Sequence, residues 1–155
     1  MTGGLPRDME RHRGSGTTIR TMAHIQALAR LGLSGIFING GLDVYRDPEP
    51  RAAIAGPFIE KLAELVPALP SNPVAIVRVN AIVQVVAGGL LAAGILPRLA
   101  ATILAGSLVP TTFGGHPFWQ VDNPARRSQQ RTQFLKNAAI LGGLLLVAGG
   151  DRPTT

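Results

Sequence analysis

The sequence predicts an all-α fold: a bundle of four transmembrane helices with a short interfacial amphipathic helix between the first two. Three observations predict it. Four apolar stretches recur along the chain, most of them near the length that a helix needs to cross a bilayer. Charged residues make up 15% of the 155 residues and hydrophobic ones 46%, well short of the roughly 25% charged residues usual in a soluble domain. The stretch 114–147, GGHPFWQVDNPARRSQQRTQFLKNAAILGGLLLV, reads as a chain re-entering a membrane. Its aromatics sit at headgroup depth, its Arg cluster stays in water, and Lys136 lies at the boundary.

Composition excludes several chemistries. The net charge of +6 does not imply a nucleic-acid partner, because a bilayer protein uses Lys and Arg to orient itself and to meet anionic lipid. The chain has no cysteine, which removes thiolate catalysis, disulfide exchange and Cys-ligated clusters. The N-terminal stretch has no apolar core, so no cleavable signal peptide is expected.

Residues 1–22 are rich in Gly and Arg and lack periodicity, which predicts a disordered basic tail. Met9 and Met22 are alternative starts within it. The membrane domain is then 23–151, with 152–155 as a second tail. The first helix is expected at about 25–45. Arg30 lies close enough to its start to snorkel to the interface. Gly32, Ser34 and Gly35 give a side that a second helix can approach closely. Asn39 and Asp43 are four apart and share a face near the far end. Asp43 either sits at the interface or faces the bundle interior as a functional acid.

The segment 46–73 is rich in proline. RDPEP predicts a turn, and PFIEKLAELVP a short amphipathic helix with Pro57 at its first position. Phe58, Leu62 and Leu65 fall on one side, Glu60, Lys61 and Glu64 on the other. Such a helix is too short to span a bilayer and is expected to lie on it, as an anchor or as a lid.

The second membrane helix is expected at about 74–96, started by Asn72-Pro73. Arg78 lies a turn inside it, and Asn80 and Gln84 share one face. Gly88 with Ala92 and Gly89 with Ala93 are small-residue pairs suited to close packing. A tight Pro97-Arg98 link then forces an antiparallel hairpin with a third helix at about 99–113. There Ala101, Ala105 and Ser107 are packing positions, and Pro110 removes a backbone donor. The freed carbonyl is expected to find Thr111 or Thr112. After the HPFW turn, the fourth helix is expected at about 134–150.

The motifs AGGLLAAGILPRLAATILAGSLVPTTF, GGHPFWQVDNPARR and QFLKNAAILGGLLLVAG, with ARLGLSGIFINGGLDV before them, resemble the DoxX family of small four-helix membrane proteins. The resemblance covers residues 27–150, and the FLKN-to-GGLLL entry into the last helix is its most specific part. The family takes its name from a subunit associated with a quinol oxidase, and for most members no chemistry is assigned. The resemblance implies a multi-pass protein of the bacterial plasma membrane. It also implies a non-catalytic or quinone-contacting subunit of a redox or oxidative-stress assembly, with redox proteins as partners. No cofactor of its own is expected; a quinone is the one the resemblance leaves room for. Family members commonly carry Glu before the glycine pair of the second helix. This chain has Gln84 there, so no membrane carboxylate carries over at that place.

Candidate site residues follow from these placements. His116 is either a structural residue in an aromatic anchor or a hydrogen-bonding partner for a quinone, with Phe118 and Trp119 beside it. The chain's histidines are His12, His24 and His116, which offer no membrane-embedded pair for haem, and no metal site is expected. Arg126, Arg127, Arg131 and Lys136 form a basic patch for lipid phosphate or an acidic partner. A different reading uses Asn39, Asn80 and Gln84 as a polar line that binds or moves a small apolar solute or lipid, and a scaffold without a ligand is a third. No nucleophile–base pair or phosphate loop marks a self-contained enzyme. The small-residue faces admit a homo-oligomer. Basic residues nearly balance between the two sides, so orientation stays open.

Overall fold

The computed structural model describes the backbone of residues 7–65 and 72–150, and the side chains of 21–65 and 72–150. All regular structure among the described residues is helical: α1 (Arg7–Arg46), α2 (Glu49–Leu65), α3 (Pro73–Ala93), α4 (Pro97–Gly115), a one-turn 3-10 segment (Phe118–Gln120) and α5 (Pro124–Gly149). The all-α expectation holds. Residues 1–6, 66–71 and 151–155, which include part of the first expected tail and all of the second, lie outside the described residues.

Four boundaries differ by more than two residues from the sequence reading. Helix α5 starts at Pro124 rather than at about 134, because the Asn123 side chain caps it and Pro124 suits its first position, so the polar run 124–133 is helical too. Helix α1 starts at Arg7, inside the stretch expected as a disordered tail. Once its apolar part is packed, each added residue extends an existing helix, which is far easier than nucleating a new one. Helix α2 starts at Glu49, so Pro57 lies inside it rather than at its first position. The missing N–H of Pro57 frees the carbonyl of Ala53; both residues are exposed, so that carbonyl meets polar surroundings instead of a dry core. Helix α3 stops at Ala93, not at 96. Gly94 takes a left-handed φ of 70°, and the turn closes with Gly94 N to Leu91 O at 3.1 Å and Ile95 N to Leu90 O at 2.9 Å, the paired bonds of a Schellman end. The hairpin link is therefore Gly94–Leu96, and Pro97 opens α4 where its missing N–H costs nothing.

The helices follow one another up and down. Helix α1 lies along α3, α3 along α4, and α4 along α5. Glycine sets the closest of these approaches. A Cβ on Gly41 would stand 2.9 Å from the carbonyl oxygen of Ala81, and one on Gly88 would stand 3.0 Å from Ile38 Cγ1. The ring of four closes where Leu33 of α1 meets Gly143 of α5. Phe37, Leu91, Leu104, Leu108 and Leu144, with Ala87, Ala100 and Ala101, form the core inside it. Helix α2 packs on α3 and α4 at the end where α1 finishes and α5 begins, with Phe58 seated on Gly114.

Helices α3 and α5 are long and apolar enough to cross a membrane. Much of the apolar surface points outward: Leu28, Ile36, Ile82, Val86, Leu99 and Leu145 are exposed, and Leu146 is 79% exposed. A water-soluble bundle of this size would bury such residues; lipid leaves them where they are.

Candidate functional site

Polar side chains gather in two places, and the first is the seam between α3 and α4. Ser107 Oγ donates to Asn80 Oδ1 at 2.7 Å and accepts from Gln84 Nε2 at 3.0 Å. Asn80 Nδ2 in turn donates to Thr111 Oγ1 at 3.1 Å. Asn80 and Gln84 share a face of α3, while Ser107 and Thr111 share one of α4, so a single crossing aligns all four. Ser107 and Thr111 were not expected as their partners. The signal for them is the matching spacing of four on each helix. The two threonines do not go to the carbonyl that Pro110 frees, that of Gly106. Thr111 Oγ1 donates to Ser107 O and Thr112 Oγ1 to Leu108 O, each at 2.7 Å, the ordinary reach of a helical threonine to the turn behind it.

The second place is the turn from α4 into α5. His116 caps α4, its N–H reaching Thr112 O at 3.0 Å, and its half-buried ring meets Gln130 of α5, with Nδ1 to Oε1 at 2.7 Å. Phe118 N returns to His116 O at 2.9 Å and turns the chain into the 3-10 segment. Four aromatic rings then meet edge to face. Phe134 stands 5.6 Å from Phe113, 5.4 Å from Phe118 and 6.0 Å from Trp119, and Phe118 stands 5.1 Å from Trp119. Such near-perpendicular pairs set the positive ring edge against a neighbour's negative face. Trp119 is 48% exposed, so the cluster is open on its outer side.

Gln130, Phe113 and Phe134 are members of this site that sequence reasoning missed. The signal was a stripe on α5 at helical spacing, Gln130, Phe134 and Asn137, hidden within a run read as basic and polar. Asn137 Nδ2 donates to Thr112 Oγ1 at 3.0 Å, so the whole stripe faces α4.

The remaining candidates lie apart from both places. Asn39 and Asp43 are exposed on α1, and Asp43 stands 3.9 Å from Arg46, a surface pair of little energetic weight. Asn39 does not join Asn80 and Gln84. Arg126, Arg127, Arg131 and Lys136 are exposed along the first half of α5. Arg127 Nε donates to Val121 O at 2.7 Å and so braces the turn, while Asn123 Oδ1 caps the helix by accepting from Arg126 N at 3.1 Å. Among the described residues no cluster of His, Asp and Glu reaches the size of a metal site.

Comparison with family models matches DoxX over residues 25–117, from the apolar part of α1 through α4 to the turn at His116. Helix α5, which carries the FLKN-to-GGLLL entry, lies outside the matched region. Comparison with curated proteins and with solved structures finds no match. The matched region covers more than half of the chain, and two helices of the chain, α3 within that region and α5 beyond it, have the length and composition to cross a bilayer. The chain is a helical membrane protein and belongs to the DoxX family.

Proposed function

We propose that this protein is a non-catalytic, quinone-contacting subunit of a membrane redox or oxidative-stress assembly in the bacterial plasma membrane. In this reading α1, α3, α4 and α5 all span, and α2 lies in the interface over one end. The observation that carries it is the contact of His116 Nδ1 with Gln130 Oε1 at 2.7 Å beside an aromatic cluster that opens outward at Trp119. An amide oxygen only accepts, so Nδ1 carries the proton in this contact, and in the tautomer with that single proton Nε2 is an acceptor. That atom suits the hydroxyl of a quinol head group, and the rings of Trp119 and Phe113 suit its flat, apolar faces. The chain supplies binding and orientation, and the electrons belong to a partner subunit. Arg126, Arg131 and Lys136 serve as the contact for anionic lipid or an acidic partner. Of these, Arg126 lies in the first turn of α5, where a cation opposes the helix dipole, which favours an external anion at that place.

The reading as a solute-binding protein along Asn39, Asn80 and Gln84 draws less support. Asn80 and Gln84 already bond across the α3–α4 seam, and Asn39 is exposed on another helix.

Purification from native membranes in a gentle detergent tests the proposal, with quinone extraction, a reduced-minus-oxidised spectrum and partner identification on the eluate. Quinone and a redox partner should co-elute with the wild type, and quinone should fall several-fold in His116→Leu. An eluate free of both would overturn the proposal.

A further inference from the structure

Opposite the His116 end, α1 and α5 part beyond the Leu33–Gly143 contact and leave a groove of ≈ 1070 Å³. Its walls are apolar, with Ile25 and Leu33 from α1 and Leu146 and Val147 from α5, and two guanidinium groups, Arg30 and Arg98, line it. Among the described residues no carboxylate lines it. Arg30 reaches over the Gly94 turn, where a Cβ would stand 3.6 Å from its Nη2. The Nε of Arg30 is buried and has no hydrogen-bond partner. A guanidinium nitrogen withdrawn from water without an acceptor is costly, and the missing group is an oxygen acceptor that the described residues do not provide there.

We infer that this groove binds one anionic phospholipid, its phosphate on Arg30 and Arg98 and an acyl chain along Leu33, Leu146 and Val147. The chemistry argues for a lipid over a free anion. A phosphodiester presents oxygens that match the guanidinium fork. The apolar remainder of the groove matches a hydrocarbon chain, and its volume is that of a site for a large organic ligand. Arg30 and Arg98 also lie near the membrane boundary in this reading, since one is close to the start of the apolar part of α1 (25–46) and the other is in the first turn of α4. Headgroup phosphates lie at that depth. The site is independent of the quinone reading, because it lies at the other end of the bundle.

Thermal unfolding of the full chain in a zwitterionic detergent, titrated with phosphatidylglycerol, phosphatidylcholine or inorganic phosphate, tests the inference. Phosphatidylglycerol should raise Tm by about 5 °C near saturation, and native mass spectrometry should show one retained lipid. Phosphatidylcholine and inorganic phosphate should shift Tm much less. Arg30→Gln and Arg98→Gln should each lose most of the shift, while Arg46→Gln, at the other end of α1, should keep it. Equal shifts with the two lipids would overturn the inference even if a variant failed to fold. So would a full phosphatidylglycerol shift in folded Arg30→Gln, and a shift reproduced by phosphate alone would assign the groove to a free anion.

Discussion

Asn80 and Ser107 are joined across the α3–α4 seam by a 2.7 Å hydrogen bond in which the serine hydroxyl donates to the amide oxygen. Because the same hydroxyl accepts from Gln84, it is the hinge pin of the seam. Ser107→Ala strips an acceptor from Gln84 and a donor from Asn80 at once. We expect a loss of about 1–2 kcal/mol, at the upper end of single interhelical bonds in membranes. Gln84→Leu leaves the Asn80–Ser107 bond in place and fills similar volume, so its loss should stay below about 1 kcal/mol. Equilibrium unfolding of both variants in one detergent checks the order. A larger loss for Gln84→Leu would mean that the seam is organised around the glutamine.

The α1–α3 approach separates two neighbouring glycines. On Gly41 a Cβ would meet a backbone oxygen, Ala81 O, at 2.9 Å, whereas on Gly40 it would meet nothing within 4 Å. Gly41→Ala should therefore push the helices apart at a cost of about 1–3 kcal/mol. Gly40→Ala should be neutral or stabilising by up to about 1 kcal/mol through helix propensity. Parallel thermal melts of the two variants distinguish them directly, and similar values would remove glycine packing as the cause.

Two residues of the hairpin turn have positive φ, Gly94 at 70° and Leu96 at 47°. The glycine adopts it without strain, but the leucine pays roughly 1–2 kcal/mol for a Cβ close to its following carbonyl. Gly94→Ala should destabilise by about 1 kcal/mol, and the exposed Leu96 replaced by glycine should gain up to about 1 kcal/mol. Melts of both would show opposite signs; a loss in Leu96→Gly would mean that its side chain packs on something in the membrane.

Helix α2 is held to the bundle end by Phe58, whose ring lies against Gly114 so closely that a Cβ there would stand 3.0 Å from Cδ1. Phe58→Ala should speed amide exchange in residues 49–65 at least several-fold while leaving α3 and α4 protected. Gly114→Leu should do the same by filling the seat. Unchanged exchange in both variants would place the anchoring elsewhere on α2, for instance at buried Ile59.

Much of this architecture was legible from residue pattern. The apolar lengths, Asn72-Pro73 and the glycine pairs located the helices, and Gly88 proved to be a contact with α1. The partners of Asn80 and Gln84 were not legible, because the register between two helices depends on how their side chains interlock and leaves no mark in either sequence alone. Phase explains Asn39: it shares a face with Asp43, as expected, but that face is turned outward. Pro57 misled because proline opens many helices and was read as the start of α2. In α2 it lies on an exposed face, where a freed carbonyl is tolerated. Gln130 escaped notice among arginines, although its spacing to Phe134 and Asn137 is that of one helix face.

The seam that joins α3 to α4 is built from amides and hydroxyls alone, so it carries no gating charge. The membrane potential acts on each full charge moved through it with about 2.3 kcal/mol per 100 mV, and it finds no such charge in Asn80, Gln84, Ser107 or Thr111. Nor does any of these four groups titrate in the physiological range. The seam itself therefore offers neither voltage nor pH a handle. Voltage or a proton gradient would have to act on this protein through charges near its ends, such as Arg30 and Arg78.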